Sequence, residues 1–182
     1  MSKIVLICGP DRCGKTSIID SLRKNVLVSP KRITIHSSTP PVFDEGSYDD
    51  QYWAELHYSN WVNVVINLHK ADIHVILDRG HLGEHVYGTL YRNINTDFIF
   101  SDIDIAFKDN PNVYLVLLTD SIENRVSRDD NLSMTKNSQK MQQEHDLFVD
   151  AFNKSCIMNK MHLHKMDIVK MKNSVNSFIR GK

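Results

Sequence analysis

The sequence predicts a three-layer α/β fold, a five-stranded parallel sheet with helices on both faces, and three observations predict it. Short apolar runs alternate with longer segments of helical periodicity from one end of the chain to the other. The first run, Ile4-Val5-Leu6-Ile7-Cys8, breaks into Gly9-Pro10-Asp11-Arg12-Cys13-Gly14-Lys15-Thr16-Ser17, which satisfies the G-x-x-x-x-G-K-[ST] phosphate-binding spacing. At 182 residues and 41% apolar content the chain can bury one sizeable core, so a single domain spanning residues 1–182 is the simplest organisation.

The loop carries the most specific signal. Its glycines let successive backbone N–H groups turn inward onto a phosphate, and the helix starting near Gly14 aims the positive end of its dipole at the same point. Lys15 is expected to reach the β- and γ-phosphates, and the Thr16 hydroxyl to hold Mg²⁺. A chance match in a glycine-containing turn would lack the flanking elements. Here a buried strand precedes Gly9, and Ile18, Ile19 and Leu22 follow at helical spacing.

The first helix should run over 14–24 and a second strand over 32–36, ended by the loop Ser37-Ser38-Thr39-Pro40-Pro41. Residues 48–70 contain no glycine or proline and place Leu56, Trp61, Val65 and Leu68 on one helical face. The early part of that helix carries Trp53, His57 and Asn60, which either line a pocket for a planar base or belong to ordinary packing. The third strand, 73–77, ends in Asp78-Arg79. In parallel α/β sheets sites form at the carboxyl ends of strands, so Asp78 is expected beside the phosphate loop for Mg²⁺ and Arg79 for a second phosphate.

Residues 81–92 should be helical, with Glu84, Tyr87, Tyr91 and Arg92 at three- and four-residue steps, turned either to the cleft or to solvent. Residues 96–108 read as irregular, with a short packing helix. The fourth strand, 113–118, runs into Asp120-Ser121-Ile122-Glu123, which has the cap-then-Glu spacing of a helix start. That helix carries Arg125 and leads into a polar stretch beginning at Arg128, a lid over about 127–137 whose arginines either neutralise a transferring phosphoryl group or are ordinary surface charges. Met141, His145, Phe148, Phe152 and Cys156 mark one face of a further helix. Lys160 to Lys165 alternates like an edge strand, which makes His162 and His164 solvent-facing rather than metal ligands. Ile168, Met171, Val175, Phe178 and Ile179 give a last amphipathic helix.

Composition narrows the function classes. Lys plus Arg and Asp plus Glu both total 22, so the chain has no global field for a nucleic-acid backbone, and no basic stripe. Three cysteines form an odd set, one of them in a buried strand, which predicts no disulfide framework and a cytoplasmic home. No apolar stretch approaches membrane-spanning length. The phosphate loop without Asn-Lys-x-Asp, without the paired acids of helicases and without an added motor module leaves a small phosphotransferase of P-loop NTPase fold.

Asp11-Arg12 within the loop, Asp78-Arg79 after the third strand and the lid following Arg125 resemble the thymidylate kinase family of nucleoside monophosphate kinases. His36 to Pro41, Leu77 to Gly88 and Tyr91-Arg92 resemble its tailed-bacteriophage members more narrowly. The resemblance implies that Gly9, Asp11, Cys13, Gly14, Lys15, Thr16 and Ser17 cradle the phosphates of ATP, with Thr16 and Asp78 serving Mg²⁺. It implies that Arg12 bridges donor and acceptor phosphates, as in the eukaryotic and viral branch, and that Asp11 accepts from the acceptor's 3′-hydroxyl. Arg79 would hold the monophosphate, Arg125 would lie near the adenine, and Arg128 would act from the lid. Ser37, Trp53, His57, Asn60, Glu84, Tyr87 and Arg92 would complete the acceptor site, and the assembly would be a homodimer.

Two departures bear on the acceptor. The family's Arg-Glu-Pro after the second strand reads Ser-Ser-Thr-Pro-Pro here, and the arginine before its helix tryptophan is Asn60 before Trp61. The resemblance then implies dTMP as acceptor, with dUMP or a modified deoxyuridylate beside or instead of it, since one methyl is worth only about 1–3 kcal/mol in an apolar pocket. Three other readings stand beside this one: a deoxynucleoside kinase, which wants a general base where Ser37-Ser38 stands, a kinase acting on a group within DNA, and a module that binds ATP without transfer.

Overall fold

Alternation within the strands builds the layers. In β1 (Ile4–Cys8), Ile4, Leu6 and Cys8 face one helical layer while Val5 and Ile7 face the other, so both sides of the strand are buried, as a central parallel strand requires. The protein is seen here as a computed structural model, which describes residues 1–27, 29, 31–36, 48–128, 135 and 137–181, with only the backbone at 48 and 49. The expected loop 37–41 and most of the lid, residues 129–134 and 136, lie outside the described residues.

β1 is flanked by β3 (His74–Asp78) and β4 (Val113–Thr119), with β2 (Arg32–His36) and β5 (Asn159–His164) at the edges, giving the order β2-β3-β1-β4-β5 with every pairing parallel. The first layer is α2 (Tyr48–Lys70), α3 (Leu82–Tyr87) and α5 (Ser138–Lys154), packed through Tyr58, Trp61, Val65, Leu82, Phe148 and Phe152. α1 (Lys15–Asn25) and α6 (Ile168–Arg180) form the second, through Ile18, Leu22, Met171, Val175 and Ile179. α4 (Ile122–Ser127) follows β4 directly.

Several local expectations shift. α3 is short because residues 88–92 form a π-helical turn (Gly88–Arg92), and the irregular segment is a second π-helical stretch, Ile99–Asp104, followed by a 3₁₀ turn, Ile105–Phe107. The cap of α4 is Ser121, whose hydroxyl accepts from Asn124 N, because Asp120 is taken by Ser121 N and the Asn124 side chain. On α5 the inward position beside Met141 and Phe148 belongs to Glu144, fully sequestered, while His145 is half-buried and Cys156 lies past the helix end.

The second π-helical stretch is tied to the core by a buried polar cluster. Asp104 Oδ1 lies 2.8 Å from His81 Nε2 and accepts from Ser155 Oγ at 2.8 Å, and Oδ2 accepts from Cys156 N at 2.6 Å. Burial by itself would raise the Asp104 carboxyl. The hydrogen bonds and charge from His81, with those from Cys156, outweigh it and hold the carboxyl at about 2, below its ordinary 3.8. A depressed carboxylate pKa stabilises the fold above the unfolded value and is lost as pH falls through the folded one. We therefore expect an acid-induced loss of about 2 kcal/mol from this group between pH ~4 and ~2. The acid limb of stability in Asp104→Asn should be flatter by that amount, and an unchanged limb in urea titrations would refute the assignment.

Candidate active site

The loop between β1 and α1 is shaped by three residues with positive φ: Gly9 at 137°, Arg12 at 66° and Gly14 at 86°. An added Cβ on Gly9 would lie 2.0 Å from the Leu118 carbonyl oxygen, so the loop leaves β1 pressed against the end of β4. Gly14 sits at the start of α1, where the free N–H groups of the first turn face the loop.

Lys15 is folded onto its own loop. Its ammonium is buried, donates to the carbonyls of Gly9 at 2.9 Å and Pro10 at 2.6 Å, and stands 3.7 Å from Asp11 Oδ1. Burial pushes its pKa down, with the Asp11 charge partly opposing. Beside it, parallel pairing sets Asp78 opposite both Ile7 and His36, which brings the ends of β1, β2 and β3 together. Asp78 Oδ2 lies 2.9 Å from His36 Nδ1, and Arg79, at φ 64°, reaches across to Asp11 Oδ1 at 2.8 Å.

Asp11, Lys15, Asp78 and Arg79 border a cavity of about 660 Å³. Its floor is the loop from Asp11 to Ser17, one wall is Asp78 and Arg79, and the opposite wall is Met166, Asp167, Ile168 and Met171, with Arg128 at the edge. The volume suits a nucleotide-sized ligand. The apolar wall after β5 was not among the expected site residues. The rule that sites sit at strand carboxyl ends, applied to β5 as it was to β3, points to it.

The structure separates other expected residues from this cavity. Arg125 does not line it: the side chain is buried and donates to the Asp11 carbonyl at 3.2 Å, the Met141 carbonyl at 3.1 Å and Glu144 Oε2 at 2.7 Å. A guanidinium so engaged is a strut rather than a face for an adenine ring. Glu84 and Arg92 face neither cleft nor solvent. They pair with each other at 2.5 Å in the interior, where burial raises the Glu84 carboxyl against the pull of Arg92. Tyr87 packs on Phe148 at a ring separation of 5.8 Å, and burial pushes its phenol well up. Trp53 and Asn60 are exposed on α2 and His57 is half-buried there, all outside the cavity lining. Ser37 lies outside the described residues. His162 and His164 both approach the Thr119 hydroxyl, at 2.8 Å each, and among the described residues no group of three or more His, Cys, Asp or Glu is arranged to hold a metal ion.

A parallel sheet with a phosphate loop after its central strand, flanked by helical layers, defines a P-loop NTPase fold of the nucleotide-kinase type. No family model matches the chain, and no curated protein is similar to it in sequence. Solved structures are similar in fold over nearly the whole chain. The YorR protein of Bacillus subtilis, solved in complex with phosphorylated GDP, has a TM-score of 0.71 at 15% identity, over 98% of this chain and 96% of that one. Thymidylate kinase from Candida albicans gives 0.67 at 14% identity, over 99% and 92%. Thymidylate kinase from Ehrlichia chaffeensis gives 0.66 at 12%, over 96% of each chain. Among the described residues no helix is long and apolar enough to cross a membrane.

Proposed function

We propose that the chain is a nucleoside monophosphate kinase that transfers the γ-phosphoryl group of ATP to dTMP, with dUMP the competing acceptor, working as a cytoplasmic homodimer. The observation that carries the reading is Arg79, held at positive φ at the end of β3 and 2.8 Å from Asp11 of the phosphate loop. A module that only bound ATP would have no use for a second cation beside the loop. A monophosphate acceptor has one, because its phosphate must lie against the donor's for in-line transfer. The likeness in fold to two thymidylate kinases supports the same class.

In this reading Lys15 leaves the Gly9 and Pro10 carbonyls for the donor phosphates, and Arg79 exchanges Asp11 for the acceptor phosphate. Asp11, so released, accepts from the sugar hydroxyl. Arg12 bridges the two phosphates, and Arg128, half-exposed and paired with Asp120 at 2.9 Å, is placed to turn inward from the lid. The exposed Thr16 hydroxyl and the Asp78 carboxylate share the cavity, and this oxygen set suits Mg²⁺. Bound there, Mg²⁺ would offset the charge of the β- and γ-phosphates.

The test is ADP formation from ATP and Mg²⁺ with dTMP, dUMP, dCMP, dGMP or thymidine as acceptor, dGMP being included because the YorR neighbour holds a guanine nucleotide. Turnover with dTMP or dUMP supports the proposal, and Arg79→Ala should then cost about 10²-fold or more in kcat/KM while ATP binding is kept. Turnover with thymidine alone, or an Arg79→Ala protein as active as wild type, would overturn it in favour of a nucleoside kinase or a binding module.

A further inference from the structure

One buried network lies outside the cavity yet grips the phosphate loop. Glu144 of α5 is 3% exposed, and both of its oxygens are engaged: Oε1 accepts from the Tyr91 hydroxyl and Oε2 from Arg125 Nη2, each at 2.7 Å. Arg125, 2% exposed, donates onward from Nε to the Asp11 carbonyl at 3.2 Å, and its own carbonyl accepts from Arg12 Nη1 at 2.9 Å. Arg128 adds a bond from Nη1 to the Arg12 carbonyl at 3.1 Å. Asp11 and Arg12 are therefore held from α4, and Arg12 keeps the positive φ that a non-glycine residue adopts only where its surroundings impose it.

We infer that Glu144 is a positioning residue for phosphoryl transfer, fixing Arg125 and through it the Asp11–Arg12 segment of the loop. The inference rests on the kinase reading above, in which Arg12 bridges the two phosphates. A junction that accepts from a phenol on one side and a guanidinium on the other calls for an acceptor with two free oxygens. A buried guanidinium calls for a negative charge, and a carboxylate meets both demands. Tyr91 belongs to the π-helical turn that follows α3, so one side chain ties that turn, α4 and α5 to the loop. Because Glu144 lies outside the cavity lining, its effect should fall on the alignment of bound groups rather than on their capture. Misplacement of a reacting group by about 1 Å costs about 10²-fold in rate.

The experiment is a kinetic double-mutant cycle on the full chain, with folding of each variant checked by circular dichroism. Glu144→Gln should lower kcat about ten-fold or more with KM for ATP changed less than about three-fold, and Arg12→Ala placed on top should cost no more than about two-fold beyond Arg12→Ala alone. Should Glu144→Gln fail to fold, Tyr91→Phe, which removes one donor and strands no charge, carries the test with an expected loss of about two- to five-fold in kcat. A kcat at the wild-type value in the folded variants, or losses that multiply in the double variant, would overturn the inference while leaving the kinase reading intact. Failure of the wild type to phosphorylate any acceptor would instead remove that reading and the catalytic role with it. The link to the loop is then read from urea unfolding of the ligand-free protein, where Glu144→Gln and Arg12→Ala should be non-additive by about five-fold in the unfolding constant. Additive losses would overturn that as well.

Discussion

Replacing Lys15 by methionine is expected to lower phosphoryl transfer by about 10²–10³-fold, equivalent to about 3–4 kcal/mol of transition-state stabilisation, while the ligand-free protein stays about as stable as wild type. The two halves of that expectation come from the same geometry. In the ligand-free protein the ammonium is buried and spends its donors on the Gly9 and Pro10 carbonyls. Methionine removes those bonds but also removes the cost of keeping a charge out of water, a cost visible in the depressed pKa of the lysine. During transfer the balance is one-sided, because negative charge spread over the phosphoryl oxygens needs a cation that methionine cannot supply. Steady-state kinetics and urea unfolding on the same preparation separate the halves. A rate within ten-fold of wild type would mean that Lys15 stays on the loop carbonyls during turnover.

What the sequence made legible was local or followed from one topological rule. The loop from Gly9 to Ser17 is a single contiguous motif. α2 could be placed at 48–70 because nothing in that stretch interrupts a helix and its apolar residues share a face. Asp78 and Arg79 could be set beside the loop from the parallel-sheet rule alone, and the pairing of Ile7 with Asp78 puts them there. The wall made by Met166, Ile168 and Met171 was harder to see. It depends on β5 lying beside β4 and on α6 packing against α1, with Ile168 reaching within 3.2 Å of where a Gly14 Cβ would stand. The second of these joins residues about 150 positions apart, Gly14 and Ile168 among them, and no window of sequence contains both.

Around α3 the structure departs from helical spacing for a different reason. Helical spacing says which residues share a face and not which way the face points. Glu84, Tyr87, Tyr91 and Arg92 do lie close together, but the π-helical turn at Gly88–Arg92 inserts an extra residue per turn and rotates the later two. Arg92 then closes on Glu84 in the interior, and Tyr91 is delivered to Glu144 on α5. Arg125, expected near the adenine, is instead a buried strut, because its partner, Glu144, sits 19 positions away on another helix. Glu144 itself was in principle visible. It stands three residues after Met141 and four before Phe148, at core spacing, and a lone acid at such a position asks for a buried cation.

The conformational demand at Gly9 gives the largest expected effect on stability. Gly9 is buried at φ 137° directly after β1, and an alanine Cβ there would stand 2.0 Å from the Leu118 carbonyl oxygen and 3.1 Å from its carbon. Those are main-chain atoms of β4, whose Leu117 is already in register with Cys8, so neither side can yield without parting two central strands. Positive-φ strain of about 1–3 kcal/mol and overpacking of about 1–3 kcal/mol together predict about 3–5 kcal/mol of destabilisation for Gly9→Ala. That is a large share of the ~5–15 kcal/mol by which domains are stable. Gly181 supplies the control, with φ 76° and nothing within 4 Å of the added carbon, so Gly181→Ala should carry the backbone cost alone, about 1–2 kcal/mol. Urea unfolding of the two variants compares the crowded site at φ 137° with an open one at φ 76°. If Gly9→Ala were no less stable than Gly181→Ala, the loop would not be braced against β4, and a phosphate would have to organise its own cradle on binding. A clear excess at Gly9 would mean that the cradle's backbone is set by the sheet before any nucleotide arrives, with side chains such as Lys15, Arg79 and Arg128 left to rearrange.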